Sequence, residues 1–147
     1  MIAVTLLDQS TAYVAPNTFV RLRPASTPGE LDVGAVTVLD AASRILLKDE
    51  PNALGAAFDA PLAVVKLTTP NDLPVYIATD KILSVTPPMS ALHHPEAKAV
   101  LKLSAGLQQV RETIEEVVEA MHRSATTALE KTVESAAERQ AIRDLGE

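Results

Sequence analysis

Apolar and polar positions alternate with a period of two at the start of the chain. Ile2, Val4 and Leu6 are separated by Ala3 and Thr5, as in a half-buried strand. Asp8 to Thr11 is a polar turn, Ala12 to Ala15 a second strand, and Pro16-Asn17 a break. Thr18 to Arg23 reads as a third strand, with Arg21 and Arg23 on one face and predicted to face water. A loop rich in Pro, Ser, Thr and Gly fills 24–34. A hairpin follows, Ala35 to Leu39 and Ser43 to Lys48 around Asp40-Ala41-Ala42. Asp49-Glu50-Pro51 then opens a short helix running to about Phe58: acidic residues suit the positive end, and Pro suits the first helical position.

The same order returns. Strands are predicted near 63–68, 74–78, 81–86, 97–103 and 107–112, with Pro87-Pro88 and the residues to Glu96 as the loop. Thr113 and Glu116 fit a capping box, the Thr hydroxyl accepting from the third helical N–H while the Glu reaches back. Ile114, Val117, Val118, Met121, Ala125, Leu129, Val133 and Ala136 then recur at steps of three and four, one apolar stripe on a helix that Gly146 ends. Such a helix, about 30 residues, would be roughly 45 Å long. Beyond Met121 its stripe thins to Ala, Thr and single Leu or Val, too little to fold alone.

The return is a repeat. Residues 2–28 lie over 65–91 at a constant offset of 63, with Tyr13-Val14-Ala15 over Tyr76-Ile77-Ala78 and Phe19 over Ile82. The chain has only two Tyr, and they coincide. Past the prolines Ala35-Val36-x-x-Leu39 is matched with Ala99-Val100-x-x-Leu103, an offset of 64, as one inserted loop residue would produce. The expected architecture is α+β: two repeated small, mainly antiparallel β-units, barrel-like or sheet, related by a pseudo-twofold, then a long C-terminal helix. The divisions are 1–60, 61–121 and a tail at 122–147.

Length and composition narrow the function more than they define it. With 147 residues a core can form without metal or disulfides, and the absence of Cys excludes thiolate chemistry. No signal-like start and no run approaching 18 apolar residues occurs, so the expected location is the cytoplasm or an assembled particle, with no membrane span. A net charge of −6, scattered basic residues and four aromatics disfavour nucleic acid.

Candidate chemistry is sparse. His93-His94 with Glu96 is a poor ligand set, because adjacent side chains point apart, and the third His, His122, sits in the tail helix. The five Gly are isolated, so phosphate-cradling and dinucleotide motifs are missing. Glu112, Glu115, Glu116 and Glu119 read as a solvated acidic helix start. No catalytic, cofactor or metal residue is assigned and none is implied.

Val65, Thr68, Val75, Ile82, Val85, Val100, Leu103, Gly106, Val110, Glu112, Thr113, Glu115, Glu116 and Val117 follow an order that resembles the small bacterial flagellar FlbD-type proteins, here as a tandem duplication. The first half matches in Ile2, Thr5, Tyr13-Val14, Val36 and Val38, so the resemblance covers 1–121. Two landmarks differ: Gln9 and Asp72 lie near the family's turn Gly, and Ala15 and Ala78 stand for its Asn. The resemblance implies a small accessory module without catalytic activity, of a kind also used in phage particles. The expected function is a structural or assembly module that binds protein, as a homo-oligomer or within a larger complex. Partner contacts are expected at Met121, Ala125, Leu129, Val133 and Ile142. The alternative is a regulatory nucleic-acid-binding protein using the Arg21/Arg23 face.

Overall fold

The computed structural model describes residues 1–127 and 129. Strands β1 (Ile2–Thr5) and β2 (Thr11–Val14) form a hairpin, followed by a 3-10 turn (Pro16–Thr18) and β3 (Arg21–Pro24). Helix α1 (Pro28–Asp32) leads to the hairpin β4 (Thr37–Asp40) and β5 (Arg44–Leu47), then to α2 (Pro51–Asp59). The second half has β6 (Val64–Thr68), β7 (Pro74–Ala78), a 3-10 turn (Thr79–Lys81), β8 (Ile82–Thr86), β9 (Ala99–Leu103) and β10 (Gly106–Val110). Helix α3 covers 114–127. The chain is α+β, its strands antiparallel in three sheets ordered β1-β2, β10-β9-β8 and β5-β4-β3-β7-β6.

Several local details recur 63 residues apart. Leu6 N–H donates to Ser10 O and Gln9 N–H to Leu6 O; Thr69 N–H donates to Leu73 O and Asp72 N–H to Thr69 O. Gln9 and Asp72 hold these turns with positive φ, 72° and 64°. The first strand of each half is tied to the residue ahead of the helix: Thr5 N–H donates to Asp49 Oδ1 at 2.6 Å and Thr68 N–H to Glu112 Oε1 at 2.9 Å. The hairpins correct the expected slip of 64. Lys48 N–H donates to Thr5 O and Arg111 N–H to Thr68 O, so β5 corresponds to β10 at 63; with Leu39 facing Ile45 and Leu101 facing Gln108, β4 then corresponds to β9 at 62. The loop before the second hairpin is one residue shorter between corresponding positions, and one residue more separates Lys102 from Leu107 than separates Asp40 from Arg44.

Gln in the left-handed region carries a steric cost that Gly escapes. Gln9→Gly is therefore expected to stabilise the protein by about 1 kcal/mol, read as a higher urea midpoint at unchanged slope. Asp72→Gly should gain less, because Asp tolerates that conformation better than Gln.

Two cores form, and each borrows from the other half. Val4, Val14, Phe19, Leu22, Leu39, Leu47, Leu54 and Phe58 pack with Tyr76 and Ala78 of the second half. Val65, Leu67, Val75, Ile77, Ala99, Leu101, Leu103, Val110 and Val117 pack with Val20 of the first. The rings of Phe19 and Phe58 stack at 4.3 Å between centroids. Phe19 and Leu22 are fully buried, whereas Ile82 and Val85, at matching positions of the second half, are only half-buried. The reason is position: β8 is a sheet edge, while β3 lies between β4 and β7.

The halves meet by an unlike pairing. In the β3–β7 ladder Arg21 faces Ile77 and Leu22 faces Tyr76. A pseudo-twofold would demand the reciprocal pairing of β8 with β2, and these strands lie in separate sheets. The expected pseudo-twofold is therefore corrected: the contact runs from one face of the first half to a different face of the second.

The helices follow their caps. α1 was not expected from the loop composition, yet Thr27 and Glu30 form a full capping box with Pro28 at the first position. α2 buries Leu54, Gly55 and Phe58. Gly55 is required by close approach, since a Cβ there would lie 2.6 Å from the Tyr76 ring. α3 begins with the expected box, Thr113 Oγ1 accepting from Glu116 N–H at 3.2 Å. It places Val117 in the core. Ser124 Oγ donates to Val64 O at 3.2 Å, so the helix braces its own half past the expected boundary at 121.

Candidate functional site

The expected cationic face is occupied from within. β4 brings Asp40 beside Arg21 of β3, and both are buried. Arg21 Nε donates to Asp40 Oδ2 at 2.7 Å, and Arg44 Nε donates to Asp40 Oδ1 at 2.8 Å. Arg21 also reaches the second half, donating through Nη1 to Leu107 O and Gln108 Oε1, both at 3.0 Å. Arg23 forms a two-pronged pair with Glu30, at 3.1 and 2.8 Å. The prediction that Arg21 and Arg23 face water is thus corrected. Their charges are matched by carboxylates, because β3 is an interior strand and its polar side needs partners.

Arg21, Arg23, Arg44, Asn71, His94 and Gln109 line a polar cleft of about 350 Å³ between the halves, with Asp40 and Glu30 behind the arginines rather than in its lining. Two carboxyl groups here have depressed pKa values. For Asp40, burial pushes upward, but hydrogen bonds and charge from Arg44 and Arg21 outweigh it, leaving the group below its ordinary value. For Glu30 the hydrogen bond from Arg23 dominates, with Ser26 and Thr27 N–H adding to it, and brings the value to about 2. Both groups stay ionised at neutral pH and act as counter-ions rather than as acids or bases.

His93 and His94 serve loop geometry. His93 Nδ1 accepts from Met89 N–H at 2.7 Å, and His94 Nδ1 accepts from Glu96 N–H at 3.0 Å. Among the described residues no group of three or more His, Cys, Asp or Glu is placed to hold a metal ion. No helix among them is long and apolar enough to cross a membrane.

The expected partner residues divide. Met121 is half-buried against the second core, so it belongs to the body of the protein. Ala125 and Leu129 are exposed, Leu129 at 65%. Val133 and Ile142 lie outside the described residues. α3 therefore does not bring the five together as one described surface.

What sequence reasoning missed is a second apolar set. Tyr13 on β2 is 64% exposed and Leu83 on β8 is 62% exposed. Their counterparts at the 63-residue offset are Tyr76, 8% exposed, and Val20, 4% exposed. Tyr76 hydrogen-bonds through its hydroxyl to Asn52 Oδ1, packs on Gly55, and carries Lys66 Nζ 5.7 Å above its ring. The coincidence of the two Tyr marked the offset, but nothing local distinguishes the covered copy from the open one. Comparison with known proteins adds no guide: no family model, no curated protein and no solved structure matches this chain.

Proposed function

We propose that the chain is a tandem duplication of one small β-unit and that it works as a non-enzymatic structural or assembly module, binding protein through its open strand edges. The observation that carries this reading is the pair of edges on β2 and β8. Each has a ladder partner on one side only, and each presents a large apolar side chain to solvent. Exposed edges invite strand addition, and natural proteins blunt them with Lys, Pro or inward charges. Here Tyr13 and Leu83 occupy them instead. The unit already binds protein in this way inside the chain, by adding β7 to β3.

The tail enters as a second contact region. α3 turns Val118 outward at 53% exposure, in line with the exposure of Leu129. Because Ser124 holds the body, a truncation that isolates the tail belongs after Thr127. The test is elution size in a gently lysed native source. The chain should run well above monomer mass, and cross-linking before lysis should preserve the larger species. Elution as a monomer with and without cross-linking would end the assembly reading.

A further inference from the structure

The internal junction has two unlike faces, and the molecule uses only one of each. The first half supplies the β3 face: the strand itself, Val20, which enters the second core, and α2 with Asn52 and Gly55. The second half supplies the β7 face: the strand itself, with Tyr76 and Ala78, which enter the first core. In the ladder Arg21 faces Ile77 and Leu22 faces Tyr76, and Ala78 N–H donates to Val20 O at 2.8 Å.

The offset that relates the halves places the unused partners at opposite ends. The second half has its own β3-type face, β8 with Leu83 in place of Val20 and α3 with Glu115 and Val118 in place of Asn52 and Gly55, the two elements meeting in the core where Ile82 and Val85 pack with Val117. The first half has its own β7-type face, β2 with Tyr13 and Ala15 in place of Tyr76 and Ala78. Both are open: Leu83 is 62%, Tyr13 64% and Val118 53% exposed. A contact between unlike faces cannot close on itself by a twofold; it repeats head to tail.

Resting on the assembly reading above, we infer that the occupant of these edges is a second copy of this chain, β8 of one copy pairing antiparallel with β2 of the next. The register follows from the internal ladder. Ser84 faces the next copy's Val14, and Val85 faces its Tyr13. Leu83 O accepts from its Ala15 N–H, and Leu83 turns toward the next copy's first half as Val20 turns into the second core internally. The Tyr13 hydroxyl reaches Glu115, whose carboxylate accepts as Asn52 Oδ1 does for Tyr76.

Two departures set the strength. Val118 has the Cβ that Gly55 lacks, and a Cβ at Gly55 would sit 2.6 Å from the Tyr ring. Tyr13 therefore stands further from its helix than Tyr76 does. Arg21, whose guanidinium crosses the internal junction to Gln108, is replaced by Ser84. The contact between copies is thus weaker than the internal one and depends on concentration. Repetition of the step yields an open chain or a ring.

The test uses purified full-length protein and complementary variants. Light scattering should show mass rising with concentration in multiples of the monomer. Leu83→Arg and Tyr13→Lys alter exposed side chains, so both should keep the native circular dichroism spectrum. Each removes one face, and every contact needs one of each, so each variant alone should be monomeric. Mixed, they retain one intact β8 and one intact β2, and should form a heterodimer that grows no further. As a check on register, mixing Tyr13→Cys with Val85→Cys under oxidation should give a disulfide-linked pair, in a chain with no other Cys. A monomeric wild type at every concentration would overturn the inference. So would association that survives in the single variants, or single variants whose mixture stays monomeric. The assembly reading fails separately, by monomer elution in the native lysate, and a large species there beside a monomeric purified chain would mean a different protein partner.

Discussion

Phe19→Ala is expected to cost about 3–5 kcal/mol, and Phe58→Ala about the same. Both rings are fully buried and stacked, with an interplanar angle of 13°. Truncating either leaves a cavity and strips the other of its stacking partner, which adds about 0.5–1.5 kcal/mol to area burial. Phe19 closes the turn after Pro16–Thr18, and Phe58 lies on α2, so the pair fastens the helix to the strands of the first half. Domain stabilities are about 5–15 kcal/mol, so either variant removes a large share of the total. Urea denaturation reads the loss as a shift of midpoint. Ile82→Ala, the same position in the second half, should cost clearly less, because β8 is an edge and Ile82 is half-buried. Equal losses at Phe19 and Ile82 would show that the two cores are equally closed, against the burial seen here.

Arg21→Leu is expected to cost about 3–5 kcal/mol, the usual penalty for stripping one partner from a buried pair. Asp40 would keep only Arg44, whose side chain is 52% exposed, and Gln108 Oε1 and Leu107 O would lose their donor. Arg44→Leu should cost no more than about 1 kcal/mol, as a half-exposed ion pair does. Removing both buried charges, with Arg21→Leu and Asp40→Leu together, should cost less than the sum of the singles. The pH dependence has a fixed sign. The depressed Asp40 and Glu30 values stabilise the fold above the ordinary carboxylate range, and that contribution is lost as pH falls through the folded-state values, for Glu30 between about 4.5 and about 2. Arg21→Leu should therefore flatten the acid limb of a stability profile as well as lower its plateau. A parallel profile would mean that Arg21 does not hold Asp40 ionised.

Features that depend on neighbours along the chain were legible in the residues alone. Alternation at Ile2, Val4 and the residues after them specified a strand, since a period of two sorts side chains by face. Pro51 and the Thr113–Glu116 box specified helix starts, because the groups they satisfy lie within one turn. The offset of 63 was legible for the same reason, and the paired turns at Gln9 and Asp72 share one backbone conformation. Even α1 had its signal in Thr27, Pro28 and Glu30, hidden by a loop-like composition. Which strands meet across the halves depends on packing between residues far apart in the chain. Arg21 and Arg23 alternate as surface residues do, yet β7 covers one side of their strand and Asp40 and Glu30 neutralise them. Tyr13 and Tyr76 occupy matching local settings and differ eightfold in exposure, 64% against 8%. Their difference arises because the two halves are joined through unlike faces, β3 of the first against β7 of the second, which covers Tyr76 and leaves Tyr13 open, a property of strand pairing that no window of sequence contains.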